Sequence, residues 1–164
     1  MEKILVDKDG YKQFYQEMER IKEELANNAS KGGEVYKDAI GDGWHDNFAF
    51  ESAMAEERKI RAKLEKMYSE QSKLEIVDIP VYEDGKVNVN DIVKIRIIYS
   101  DEDIEEEMVK LTGKYIPDTD AKIQEISLNS PLGKAIYMKT INSFTSYVVG
   151  DKEFKVEIMS KCNL

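Results

Sequence analysis

The residues of this chain best suited to chemistry sit in one short stretch, Gly41-Asp42-Gly43-Trp44-His45-Asp46-Asn47. Asp42 and Asp46 place two carboxylates on a glycine-flanked turn, beside the single tryptophan, Trp44, and the single histidine, His45. A hard cation such as Mg²⁺ takes oxygen ligands in an octahedron. Two carboxylates fill only part of it and leave the remaining positions to waters or substrate phosphates. Such a site binds metal weakly alone and becomes effective when pressed against another protein's carboxylates and a phosphodiester. The same residue types also serve as ordinary turn and cap residues, and His45 as a solvated turn residue. Trp44, Phe48 and Phe50 can form an apolar plug closing the turn, the reading preferred for the two phenylalanines.

Other constellations are missing. The chain contains no glycine-rich phosphate loop, no HExxH, no G-x-S-x-G and no cysteine cluster. One histidine cannot build a triad or a multi-histidine metal site. Any catalysis must therefore run through carboxylates. The formal charge of −9 argues against autonomous binding to nucleic-acid phosphates or to an anionic membrane surface. The longest apolar runs span only a few residues, too short for a membrane span of about 20 residues or for a signal-peptide core. A cytoplasmic protein is expected. Cys162 is the only cysteine and reads as an incidental thiol.

The elements that must position the acidic turn follow from periodicity. Phe14, Met18, Ile21 and Leu25 step by four, three and four, a coiled-coil seam that predicts a helix over about 10–30. From Phe50 through Ala53, Glu57, Ile60, Leu64, Met67 and Gln71 to Leu74 the steps are again three and four, with Glu57 and Gln71 as polar interruptions. At about 1.5 Å per residue this second helix would be roughly 40 Å long, and its seam needs the first helix against it. The expectation is an antiparallel helical hairpin over residues 1–79, with Gly32-Gly33 breaking or bending the first arm. Gly41 and Gly43 then reverse the chain, and Asp46 or Asn47 caps the returning helix. The distal tip then lies near 41–47. A basic run on the second arm, Arg58, Lys59, Arg61, Lys63, Lys66 and Lys73, can steer an RNA strand or simply form the solvated flank of the coiled coil.

Beyond Leu74 the period changes to two. Ile92 to Tyr99, Glu107 to Tyr115 and Tyr147 to Ile158 read as strands, with Gly150-Asp151 as a two-residue hairpin turn. Ser130-Pro131 reads as a cap followed by proline at the first position of a short helix. Asp101 to Glu107 reads as a solvated loop. The sum is a compact α+β domain over residues 80–164.

The arrangement resembles the bacterial transcript cleavage factors of the GreA/GreB family. The residues that carry the resemblance are Gly41-Asp42 and Asp46-Asn47 at the tip, Phe50-Glu51-Ser52-Ala53 with Glu56-Glu57-Arg58, and Lys63-Leu64-Glu65. Farther on are Leu74-Glu75-Ile76-Val77-Asp78 and Ile126-Ser127-Leu128-Asn129-Ser130-Pro131-Leu132-Gly133-Lys134-Ala135-Ile136. The resemblance implies an α+β architecture of a coiled-coil hairpin followed by an FKBP-like sheet domain. It implies an accessory factor, not an enzyme by itself. That factor docks on RNA polymerase through the Asn129, Ser130, Pro131, Leu132 region and passes the hairpin down the secondary channel. Asp42 and Asp46 would then hold a Mg²⁺ jointly with the polymerase and promote cleavage of backtracked RNA near its 3′ end. Trp44, His45 and Asn47 would support the tip, and Arg58, Lys59, Arg61 and Lys63 would lie near RNA. No autonomous DNA binding and no membrane partner are implied. This tip departs from the family pattern: one extra residue separates Gly41-Asp42 from the second acid, which is the shorter Asp46 where a glutamate is usual. A channel-binding regulator that does not cleave is the alternative.

Overall fold

The computed structural model describes residues 2–39, 47–77, 85–100 and 103–162. The acidic stretch at 40–46 lies outside them, and so do the expectations for Gly41, Asp42, Gly43, Trp44, His45 and Asp46. The element order is β1 (Ile4–Val6), α1 (Lys8–Ala39), α2 (Asn47–Gln71), β2 (Leu74–Ile76), β3 (Ile92–Ser100), β4 (Asp103–Thr112), β5 (Gln124–Ser127), α3 (Pro131–Ile136), β6 (Ser143–Val149) and β7 (Lys152–Cys162). The chain forms two compact units, one spanning Phe14–Lys73 and the other joining Glu2–Gln13 to Leu74–Leu164.

In the helical unit the expected seam is present. Phe14, Met18 and Ile21 of α1 and Ile60 and Met67 of α2 are all buried, and Leu25, Ala53 and Leu64 are half-buried on the same stripes. Both polar interruptions find partners: Glu57 binds Arg61 at 2.7 Å, and the Gln71 side-chain amide donates to the Tyr15 hydroxyl at 3.2 Å. With Tyr15 beside Gln71 and Lys22 6.0 Å from the centre of the Tyr68 ring, α1 and α2 run antiparallel. The expected break at Gly32-Gly33 does not occur, since α1 continues to Ala39. Each glycine costs a helix only about 1 kcal/mol, a local penalty that a long packed helix absorbs. Nor is Phe48 an apolar plug: it is 83% exposed, whereas Phe50 is half-buried.

The second unit is a five-stranded sheet in the order β5-β4-β3-β7-β6, parallel between β4 and β5 and antiparallel elsewhere. Alternate residues of the three central strands, Val93, Ile95 and Ile97, Val109 and Leu111, Val156 and Ile158, build the core with Val87, Val89, Leu128 and Ile136. Gly150 takes a φ of 60° at the β6–β7 turn, the conformation that a glycine-first hairpin requires. Residues 103–107, expected as loop, belong to β4. Their charge is tolerated in a strand because Glu106 is neutralised from the neighbouring strand by Lys94 at 2.6 Å and Arg96 at 2.6 Å. The strand expected over 107–115 accordingly starts earlier and ends at Thr112.

The N-terminal residues join this unit through a two-stranded parallel sheet, β1 with β2. Asp7 caps α1, its carboxylate accepting from the Gly10 N–H at 2.7 Å. The Asp7 N–H donates to the Gly113 carbonyl at 3.0 Å. Gly10 presses on the same carbonyl so closely that a Cβ there would sit 2.1 Å from the Gly113 oxygen. Gln13 then grips the β4–β5 connection with both ends of its amide, accepting from the Ile116 N–H at 3.0 Å and donating to the Ile116 carbonyl at 3.2 Å.

Candidate functional site

The three regions singled out by sequence are the tip, the basic run behind it and the Asn129-Ser130-Pro131-Leu132 segment. Of the tip residues only Asn47 lies among the described residues, as the first residue of α2. Among the described residues no group of three or more His, Cys, Asp or Glu side chains could hold a metal ion.

In the helical unit, the facing sides of α1 and α2 leave a groove of about 700 Å³ whose walls include Asn27, Asn28, Ser52, Ala53 and Ile60. Small residues on α2 opposite two asparagines fill less space than the Phe14–Met67 end of the seam, so the packing loosens here. Arg58, Lys59, Arg61 and Lys63 are all exposed on α2. Lys59 pairs with Glu56 at 3.4 Å and Arg61 with Glu57 at 2.7 Å, one helical turn away in each case. Arg58 and Lys63 enter no ion pair among the described residues, and Lys63 helps hold the Glu17 carboxyl below its usual range, after the larger effect of Arg20.

The segment from Asn129 to Leu132 is built into the fold at nearly every atom. Asn129 accepts from the Leu5 N–H and donates to the Leu5 carbonyl, both at 2.8 Å, standing in for a strand neighbour of β1. Ser130 caps α3 by accepting from the Gly133 N–H at 3.0 Å and donates its own hydroxyl to the Ser127 carbonyl at 2.8 Å. Pro131 occupies the first helical turn, where its missing N–H costs nothing. Gly133 is required by contact: a Cβ would lie 1.9 Å from the Ser127 carbonyl oxygen. Pro131 is exposed and Leu132 half-buried, so a presented surface remains on this rigid corner.

Sequence reasoning missed a buried carboxylate nearby. The Glu125 side chain on β5 is only 4% exposed and lies 2.9 Å from Lys114 and 3.4 Å from Lys110. It also accepts from the Asp118 N–H at 2.9 Å. Burial pushes its carboxyl up, but the Asp118 N–H and the two ammonium groups together outweigh burial and hold it below the usual carboxylate range. Nothing local marked Glu125 out, because its partners come from β4 and the following connection.

No helix among the described residues is long and apolar enough to cross a membrane. No match was found among curated protein sequences. Among solved structures, the chain is similar to the transcription factor Gfh1, with 18% identity, 99% of this chain and 100% of that one covered, and a TM-score of 0.44. It is also similar to the GreA factor homolog 1 protein of Thermus thermophilus (19%, 98% and 99%, 0.39) and to the elongation factor GreA/GreB from Nitrosomonas europaea (17%, 98% and 100%, 0.40). Residues 82–160 match the family described as transcription elongation factor, GreA/GreB, C-term. That span runs from before β3 into β7 and takes in the Ser130-capped α3 and the whole hydrophobic core described above. Through this span, just under half of its length, the chain is similar to the C-terminal domain of the GreA/GreB transcription elongation factors.

Proposed function

We propose that this protein binds RNA polymerase in the cytoplasm, enters its secondary channel with the α1–α2 hairpin, and stimulates cleavage of backtracked RNA. Support comes above all from the family match of residues 82–160 on a chain whose two long antiparallel helices flank Asp42 and Asp46. The chain supplies two carboxylates for a Mg²⁺ completed by the polymerase, and a bound ion there would stabilise negative charge on the displaced phosphate. Asn47 follows directly on Asp46 and opens α2, so the second acid adjoins a rigid element. The rim contact falls to the corner formed by Asn129, Ser130, Pro131 and Leu132, whose backbone is fixed before any partner arrives. Arg58 and Lys63, without ion pairs among the described residues, are better placed to meet the nascent RNA than Lys59 and Arg61, which are already engaged.

The second reading, a channel-binding regulator that slows nucleotide addition without cleavage, is favoured by the longer tip with Trp44 and by the short Asp46. A displacement of about 1 Å in a positioned reaction can cost a hundredfold. The experiment is a stalled, backtracked elongation complex given the factor and Mg²⁺. Release of short 3′ RNA by the wild type, with a drop of about a hundredfold in Asp42→Ala and Asp46→Ala, supports cleavage. Slowed nucleotide addition with no released RNA supports the second reading.

A further inference from the structure

β4 carries three consecutive glutamates, and the strand's alternation sends them to opposite faces. Glu106 points to the outer face and is bound there by Lys94 and Arg96, which hold its carboxyl below the usual range. Glu105 and Glu107 pair with Ile97 and Ile95, placing them on the inner face, along the same row as the buried Val109 and Leu111. Among the described residues neither is ion-paired. Burial followed by the charge of Glu105 pushes the Glu107 carboxyl up.

Next to these carboxylates the inner face ends in aromatic side chains. Phe154 of β7 packs between Tyr99 of β3 and Tyr147 of β6, with ring centres 5.4 Å apart in both pairs. The Tyr99 hydroxyl donates to Glu105 at 3.2 Å, and Tyr99 is 41% exposed. Two uncompensated carboxyl groups beside π faces complement one chemistry, a delocalised cation. A guanidinium can take both carboxylates with its planar fork and still stack on a ring. A free ammonium lacks the fork, and a purely apolar group would leave the carboxylates buried and unpaired.

We propose that this end of the inner sheet face, Tyr99, Glu105, Glu107, Tyr147 and Phe154, is a docking surface for an arginine side chain from a basic segment of a partner protein. The surface is independent of the tip and of the Asn129–Leu132 corner, so its test leaves the cleavage reading untouched.

The test is an NMR titration of the isotopically labelled full chain with the capped peptide Gly-Arg-Gly-Arg-Gly, alongside the same peptide with citrulline, the neutral isostere of arginine. The arginine peptide is expected to give saturable shifts confined to the neighbourhood of these five residues. Binding weakens by about tenfold in the Glu105→Gln/Glu107→Gln variant, as for a lost charge pair at an interface. It weakens by about threefold in Tyr99→Leu, which keeps the apolar area and removes the π face. Neither variant empties the core, and preserved dispersion of the spectrum checks that each is folded. The proposal is overturned if the citrulline peptide binds as well, if a proline-rich neutral peptide takes the same surface as tightly, if the shifts spread over the acidic surface without saturating, or if the double variant binds like wild type.

Discussion

At the scale of single residues, the contacts that matter most here are places where no larger side chain fits or where one amide does the work of a strand. Gly10 lies inside a helix, where alanine would ordinarily gain about 1 kcal/mol. Because a Cβ at Gly10 would meet the Gly113 carbonyl at 2.1 Å, the sign reverses. Gly10→Ala is expected to lose about 1–3 kcal/mol in urea unfolding, the range for overpacking. Asn129 makes a sharper case, since it both accepts from and donates to Leu5. Asn129→Asp removes the donor and faces a carboxylate toward a carbonyl, and a loss of about 1–3 kcal/mol is expected, with faster amide exchange at β1. Asn129→Ala should cost less than Asn129→Asp. A protein in which both substitutions were silent would show that β1 is held by other contacts. Of these residues, sequence alone brought out Asn129 as part of a motif and Ser130 as a cap. It could not show what Asn129 binds, because Leu5 is 124 positions away.

At the scale of elements, what was legible followed from local period. The seams of α1 and α2, the strands β3 and β7, the end of β6 from Tyr147, the Gly150 turn and the capped α3 all announce themselves within a dozen residues. What escaped has distant causes. β1, β2 and β5 span three or four residues each and gain their partners in parallel pairing, which leaves no local signature. The acidic start of β4 reads as loop until Lys94 and Arg96 are seen across the ladder. Glu125 on β5 is the element-scale test of such compensation. Its folded carboxyl lies below the usual 4.5. Its contribution is therefore fully present above that value and fades as pH falls through the lower folded value. Glu125→Gln is expected to be less stable than wild type at neutral pH by about 2 kcal/mol, as for hydrogen bonds to a charged group. The gap should narrow toward acid in thermal melts taken from neutral pH down to about 2. A gap that stayed constant across that range would remove the charge from the explanation.

At the scale of the whole molecule, labour is divided along the sequence. Residues 82–160 carry the domain that is similar to GreA/GreB, the helices carry the length, and in the proposed function Asp42 with Asp46 carry the chemistry. The excess of negative charge disfavours a general affinity for nucleic acid, so in the proposed function contact with RNA depends on the polymerase that holds the factor. The role proposed for the tip rests on residue types and on the family pattern alone, because two carboxylates close together beside glycines suit a shared hard cation. The extra residue and the shorter second acid are where that pattern stops being a guide. The measurement that bears most directly on the central claim is the Mg²⁺ dependence of RNA cleavage in a backtracked complex, taken with no factor, with wild type and with Asp42→Asn. An acid that helps hold the ion lowers the Mg²⁺ concentration for half-maximal cleavage, by about tenfold if the added ligand contributes about 1.4 kcal/mol, and Asp42→Asn returns it to the value without factor. If wild type and Asp42→Asn give the same Mg²⁺ midpoint and the same cleavage rate, the tip does not hold the ion and the claim is contradicted.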